Sequence, residues 1–446
     1  MVWLSRYRFR HYVENSICVF PILGMVAAMV AARVLHYLDL SLDLRLTVDT
    51  DSARTVMLTL ASAMFTCIAL VSSALLVIVQ LASAQLTPRI VPSIFRDGLT
   101  KFALTLFVFT FTLSLGGVMR IRDRVPTLTA TVVMYTNVAS LAMLLYLTDH
   151  VGRKLRPGGA LRGVVQSGRD VILSVYKHPL EKGGETSVNP AEIPVGEPSA
   201  TFFCPRDGVV LAFDMKGLVD LAIHYDCVIR MVPQVGDFVA TGEPVFRVFG
   251  GRAKIPTYLL RTSIALGQER TLEQDPMLAF RILVDIAAKA LSPAINDPTT
   301  AVTAIDQIHH LLRLVSSRNL EHGWVRDDKG VLRFLYPRPT WDDYLNLAST
   351  EIRQFGGTSI QVARRLTAML NELMASVPPA RIPGLQRQLE ILQKTCQRSF
   401  PEAEDRALAL IGDMQGVGGA GRNDSPGSNG KEIPVPAETE QSFSRA

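Results

Sequence analysis

The residues whose types and spacing can do chemistry lie in 259–301, LLRTSIALGQERTLEQDPMLAFRILVDIAAKALSPAINDPTTA. One device occurs twice there. Asp275-Pro276 and Asp297-Pro298 each put a carboxylate where a helix N-cap belongs and a proline at the first helical position. The second of these N-termini gathers the amides and hydroxyls of Asn296, Asp297, Thr299 and Thr300, which can seat an anion with Arg270 and Lys289 as counter-charge. The simpler expectation is a structural clasp, because Asp297 would occupy those amides as a cap and Asn and Asp side chains satisfy backbone groups in a turn. Asp275, Asp285, Asp297 and His309 make a poor metal set: they fall on different ends and faces of the helical pattern, and no His-x-x-x-His or Asp-x-Asp spacing occurs. His309-His310 reads as a pair on a polar face. No Gly-x-Ser-x-Gly, Walker loop, Rossmann glycine fingerprint or useful Cys/His pair is present, so no enzyme, catalytic residue, metal or cofactor is expected.

These residues need two helices to hold them. Pro276 to Leu291 predicts one that buries Leu278, Ile282, Leu283, Ile286 and Ala290 and aligns Arg281, Asp285 and Lys289 at four-residue steps as a charge ladder. Ser292-Pro293 stops it. Pro298 to Ser317 predicts the second. Upstream, 199–255 shifts to the alternating pattern of strands, with turns at Val235-Gly236-Asp237 and Thr241-Gly242-Glu243 and a short helix at Met215–His224, which together suggest a small β barrel or sandwich. The VGDFVATGEPVFRV stretch is similar to the turn-rich half of biotinyl and lipoyl domains. No Met-Lys-Met tripeptide follows and Lys216 lies upstream of it, so no prosthetic group is expected. Downstream, 319–339 reads as a polar hairpin. Trp341–Ser376 and Gly384–Gln397 read as amphipathic helices with basic faces (Arg364, Arg365, Arg387), and 416–446 reads as a disordered tail.

The first third of the chain is of a different kind. Apolar spans are expected at 17–38, 55–85, 102–119 and 127–147, which makes 1–150 a membrane bundle. A connecting helix and linker follow in 151–198, and a helical domain over 256–415. Basic residues cluster at the amino terminus, in 88–101 and after Leu147, which places both termini in the cytoplasm. The loop with Arg120, Arg122 and Arg124 runs against that orientation. The second span carries no charge between Arg54 and Arg89. Thr59, Ser62, Thr66, Ser73, Gln80 and Ser83 share one of its faces. Such a face belongs against protein or water rather than acyl chains, as a helix-packing surface or as the lining of a hydrated path.

Composition agrees with this division. Hydrophobic residues make up 48% of the 446, mean hydropathy is +0.22, and the net charge of +5 is dispersed, so the lipid bilayer rather than nucleic acid is the expected partner, with self-association. Five cysteines without a CxxC pair suggest free thiols. GQERTLEQDP followed by LVDIAAKALSPAINDPTTA, with QLASAQLTPR after the second span and the GDFV turn, resembles the signature of the bacterial predicted membrane proteins grouped as domain-of-unknown-function family 2254. That resemblance implies a multi-pass protein of the bacterial inner membrane and no reaction. The fold expected is α+β, with a four-span bundle, a β barrel or sandwich and a helical domain. Its layout is similar to that of small mechanosensitive-type channels, which suggests an oligomeric channel or permeation-related protein. The alternative is a non-conducting anchor or sensor whose cytoplasmic part binds a ligand or a protein.

Overall fold

The structure, a computed structural model, describes residues 2–42, 49–121, 125–180, 194, 196–320 and 323–417. Arg122 and Arg124, Asp43, most of the 181–195 linker and the tail from 418 lie outside the described residues. The chain opens with α1 (Val2–Asn15), α2 (Val19–Leu42), α3 (Thr50–Gln85), a 3-10 turn at Pro88–Ile90, α4 (Val91–Phe95), α5 (Gly98–Val118), α6 (Thr127–Leu155) and α7 (Pro157–Val175). Four of these, α2, α3, α5 and α6, are long and apolar enough to cross a bilayer.

Packing places α5 in the middle, with buried residues round most of its circumference, among them Ala103, Leu104, Phe107 and Leu113. It touches α2, α3 and α6. In hydrocarbon no hydrophobic force pulls helices together, so close approach and hydrogen bonds must do it. A Cβ on Gly24 of α2 would lie 2.7 Å from Thr105 Cγ2, which is how near α2 and α5 run. Between α5 and α6, Thr110 Oγ1 and Ser140 Oγ are 3.0 Å apart, and Asn137 Nδ2 donates to Ser114 Oγ at 3.5 Å. At the far end α6 begins after Pro126, which has no side-chain oxygen to cap it. Asp39 of α2 caps it from a distance, accepting from Leu128 N at 2.7 Å, Thr129 N at 3.2 Å and Thr129 Oγ1 at 2.8 Å.

Beyond the bundle the strands lie in two sheets, whose inner residues, Val210 and Phe213 from one and Ile229, Phe246 and Phe334 from the other, share one apolar cluster, without a barrel or sandwich closure being shown among the described residues. One has five strands in the order β1 (Ala200–Phe203), β5 (Pro244–Gly250), β3 (Cys227–Met231), β8 (Leu332–Tyr336), β7 (Gly323–Arg326). The other has three, in the order β4 (Phe238–Val239), β2 (Gly208–Phe213), β6 (Ile264–Gly267). The sheets therefore draw strands from outside 199–255. The 319–339 hairpin supplies β7 and β8, and β8 lies parallel to β3 after a connection of about a hundred residues that holds three helices. Strand periodicity identifies a strand but not its partner, and a parallel partner is remote in sequence. The helix α8 (Met215–His224) forms where expected, and both turns place glycine at positive φ, +95° at Gly236 and +87° at Gly242.

The helical module holds α9 (Thr257–Arg261), α10 (Pro276–Ala290), α11 (Pro298–Ser316), α12 (Trp341–Gly356), α13 (Ile360–Ser376), α14 (Ile382–Ser399) and α15 (Ala403–Ala409). Three expectations are corrected there. The Trp341–Ser376 stretch breaks at Gly356-Gly357. Arg364 and Arg365 are buried rather than on a solvated face: Arg365 Nε donates to Asp306 at 2.5 Å and Arg364 Nε to Ile411 O at 3.1 Å. His309 is buried beside Glu372 at 3.2 Å, and burial together with Arg365 and Arg313 pushes its imidazole down to about 4. The core of this module runs through α7, α10, α11, α12 and α13 and includes Ala82, Leu86 and Ile90 from the last turn of α3 and the link after it.

Removing the borrowed cap should weaken the bundle. Asp39→Ala is expected to cost about 1–2 kcal/mol and to lower the melting temperature in detergent, whereas Asp39→Asn, which keeps an acceptor oxygen, should lose well under half of that.

Candidate functional site

Both expected caps form. Asp275 is almost completely buried; its Oδ1 accepts from Leu278 N at 3.2 Å, and Oδ2 takes Arg270 Nε at 2.8 Å and Nη2 at 2.7 Å. Burial pushes its carboxyl up despite the arginine. The Val235-Gly236-Asp237 turn lies against this pair, so close that a Cβ on Gly236 would sit 2.7 Å from Asp275 Oδ2. At the second cap, Asp297 Oδ1 accepts from Thr300 N at 3.0 Å and Oδ2 from Thr300 Oγ1. Its own N–H donates to Ala290 O at 2.7 Å. The N–H groups of Ile295 and Asn296 return to Ser292 O, with Asn296 at φ +49°, while Thr299 O accepts from Thr303 Oγ1.

The charges assigned to an anion seat are elsewhere. Arg270 and Lys289 stand at opposite ends of α10, a 15-residue helix about 22 Å long. Arg270 is engaged by Asp275. Lys289 Nζ donates to Ser83 O, 2.8 Å away in the last turn of α3, where a helix leaves carbonyls unpaired and the dipole favours a cation. The Arg281/Asp285/Lys289 ladder thus faces other elements as well as itself. Arg281 Nε pairs with Asp285 at 2.7 Å, its Nη2 pairs with Glu351 of α12 at 2.6 Å, and Asp285 takes Arg89 from the link after α3. Among the described residues no three His, Cys, Asp or Glu side chains gather as metal ligands. Cys204, Cys227 and Cys396 are buried, and burial pushes the Cys227 thiol up to about 11, which leaves it inert.

Two residues that the sequence pattern does not single out complete the arrangement. Glu273, Gln274 and Asp275 are consecutive, and each holds a different body. Glu273 takes His11 Nδ1 of α1 at 2.7 Å and Arg96 Nη2 of the α3–α5 link at 3.1 Å. Gln274 brackets β2, its Oε1 accepting from Phe213 N at 3.0 Å and its Nε2 donating to Phe213 O at 3.3 Å. Asp275 starts α10. Burial alone would raise the Glu273 carboxyl, but His11 and Tyr7 beside it and the charge of Arg96 outweigh that and hold it below its usual range. The signal available in sequence was three long or branched acceptors in a row before Pro276, where a cap requires one.

This arrangement is a joint. One end of α10 is tied to α1, to the link and to a sheet; the other end is tied to the last turn of a membrane helix. A second polar feature, an open groove of about 410 Å³ lined by Asp226, Arg252, Asp327, Lys329 and Arg333, has much of its charge paired internally: Arg333 bonds Asp327 at 2.9 Å and Asp226 at 3.0 Å.

The six residues of the polar stripe lie on α3 away from its partners. The side chains that α3 buries are Ala53, Met57, Ala61, Met64, Val71, Leu75, Ile78 and Ala82, against α5 above all. Thr59, Ser62, Thr66, Ser73 and Gln80 are on nearly the opposite face and exposed, and Ser83 is half-buried where Lys289 arrives. Thr59 and Thr66 bond back to Thr55 O and Ser62 O within α3. Packing inside one copy of the bundle is therefore not what the stripe does.

Glu273→Gln should release α1 and leave α10 capped: hydrogen exchange over 3–15 should rise by about tenfold or more with 276–290 unchanged. A carboxyl whose folded value is depressed stabilises fully above its ordinary value of 4.5 and loses that contribution as pH falls through the folded value. The difference in α1 exchange between the wild type and Glu273→Gln should accordingly be constant near neutrality and vanish on acidification.

Residues 14–372 match a family described as "Predicted membrane protein (DUF2254)". The chain is 26% identical over 420 residues to the uncharacterized protein Rv1290c of Mycobacterium tuberculosis (strain ATCC 25618 / H37Rv), covering 90% of this chain and 80% of that one. It is equally similar to the uncharacterized protein Mb1321c of Mycobacterium bovis (strain ATCC BAA-935 / AF2122/97), with the same coverage. No solved structure matches it. With four apolar spans on the page and a match across most of the chain, this is a multi-pass membrane protein that belongs to the DUF2254 family.

Proposed function

We propose that the protein is a subunit of a homo-oligomeric channel or permeation-related assembly, in which the Thr/Ser/Gln stripe of α3 faces the axis and the module beyond the bundle, on the cytoplasmic side, regulates it through α10. The observation that carries this reading is the placement of the stripe. It is turned away from the chain's own bundle, and Ser62 and Ser73 carry no hydrogen bond from their hydroxyls to the rest of the described chain. Polar side chains left against acyl chains are disfavoured, and their cost falls if water or a second copy of α3 meets them. At 36 residues α3 is about 54 Å long, so it projects past the hydrocarbon into the module that would control it. The orientation rests on the basic residues of α1, the link and the end of α6, which share one side of the bundle.

The second reading, a non-conducting anchor or sensor, draws its support from the charged groove between α8 and the β7–β8 hairpin, which is open to a ligand. The two separate in one set of measurements. The channel reading expects several copies in the mass of the detergent-solubilised assembly and a current in planar bilayers. Ser62→Leu or Ser73→Leu should change that conductance by about twofold or more at unchanged mass. A monomer that passes no current refutes the channel and leaves the sensor.

A further inference from the structure

The helix α1 has two faces, and only one is accounted for. Trp3, Leu4 and Tyr7 pack on Leu211, Ala212 and Ala265 of the three-stranded sheet, and His11 and Asn15 bind Glu273 and Arg96. On a helical projection these residues form one stripe. Phe9 lies opposite that stripe and Tyr12 beside Phe9, 71% and 64% exposed, with Arg6 on one flank and Arg8 on the other, both exposed. Neither Arg6 nor Arg8 makes an ion pair among the described residues, whereas Arg10 is held by Glu14 at 2.6 Å.

The surroundings fix where that face is. The carboxyl-terminal end of α1 is pinned at the level where the spans begin: Lys101, in the first turn of α5, donates to Val13 O at 3.2 Å and also to Glu14 O. Three residues later α2 enters the bundle, and Ile17 between them packs on the cluster of Val71, Leu75 and Phe107. The opposite stripe of α1 rests on the module beyond the bundle, so the Phe9/Tyr12 face looks away from that module. Two exposed aromatic rings flanked by unpaired guanidinium groups, on a helix running straight into a membrane span, match a bilayer interface in both polarity and charge.

We propose that α1 is a surface-binding helix for anionic phospholipid, with Phe9 and Tyr12 in the boundary between head groups and acyl chains and Arg6 and Arg8 on lipid phosphates. Bilayer charge then acts on the same helix that Glu273 ties to α10.

The test uses the full chain in nanodiscs, with Cys18 and Cys67 replaced by alanine and an environment-sensitive fluorophore on Phe9→Cys. A second protein carries the label on Phe238→Cys, an exposed position of β4. In discs with about a third phosphatidylglycerol, quenching of the position-9 label by aqueous iodide should fall at least about fivefold relative to pure phosphatidylcholine discs, with position 238 unchanged. Arg6→Glu with Arg8→Glu should erase the difference. Equal quenching at position 9 in the two discs overturns the proposal, whether the label is open to water in both or shielded in both. So does a difference that survives the double charge reversal.

Discussion

A membrane helix that runs out of the bilayer has to end on something, and how α3 ends governs the rest of this molecule. Its last turn and the residues after it are not a free stalk. Ala82, Leu86 and Ile90 are part of the apolar core of the helical module, Lys289 closes on Ser83 O, and Arg89 closes on Asp285. Burying two or three such side chains stabilises by several kcal/mol, of order 1.5–3 each, which outweighs the exposed ion pair beside them. The ion pair and the lysine cap supply direction instead: they fix which turn of α10 meets which turn of α3. One packed core therefore contains both the end of α3 and the helical module.

The same logic explains the polar segment before α10. A helix used as a strut needs its other end held, and Glu273, Gln274 and Asp275 hold it on three sides. The carboxylate at the middle of this joint is stabilised by histidine and arginine from two different parts of the membrane domain, and the burial that would otherwise protonate it is what makes those partners necessary. The charged groups Arg270, Asp275, Arg281, Asp285 and Glu273 are all engaged by one another or by neighbouring elements, as a structural joint requires.

Local signals were legible in the sequence and remote ones were not. The four spans, the two Asp-Pro caps, α8 and the glycine turns follow from periodicity, capping and φ preference, each decided within a few residues. The parallel pairing of β3 with β8 is set by partners about a hundred residues apart, and periodicity is blind to that. Arg365 looked solvated because its partner, Asp306, stands on another helix. Arg270 and Lys289 were paired as counter-charge by residue type alone, whereas the expected helix between them, α10, keeps their side chains apart. Glu273 and Gln274 escaped because neither sits at a helical or strand position where a rule assigns it a task. The hydroxyl stripe on α3 was visible from spacing alone; the structure adds that its own bundle leaves it uncovered.

That uncovered stripe is the claim on which the functional account stands, and accessibility along α3 tests it most directly. Single cysteines at Ser62, Thr66 and Ser73, and at Phe65 and Leu81, exposed apolar positions on either side of the stripe, would be challenged in native membranes with a water-soluble and a lipid-soluble thiol reagent. The account predicts that the first three are poor targets for the lipid-borne reagent while Phe65 and Leu81 label readily from it. Equal labelling of all five from the lipid phase would contradict it.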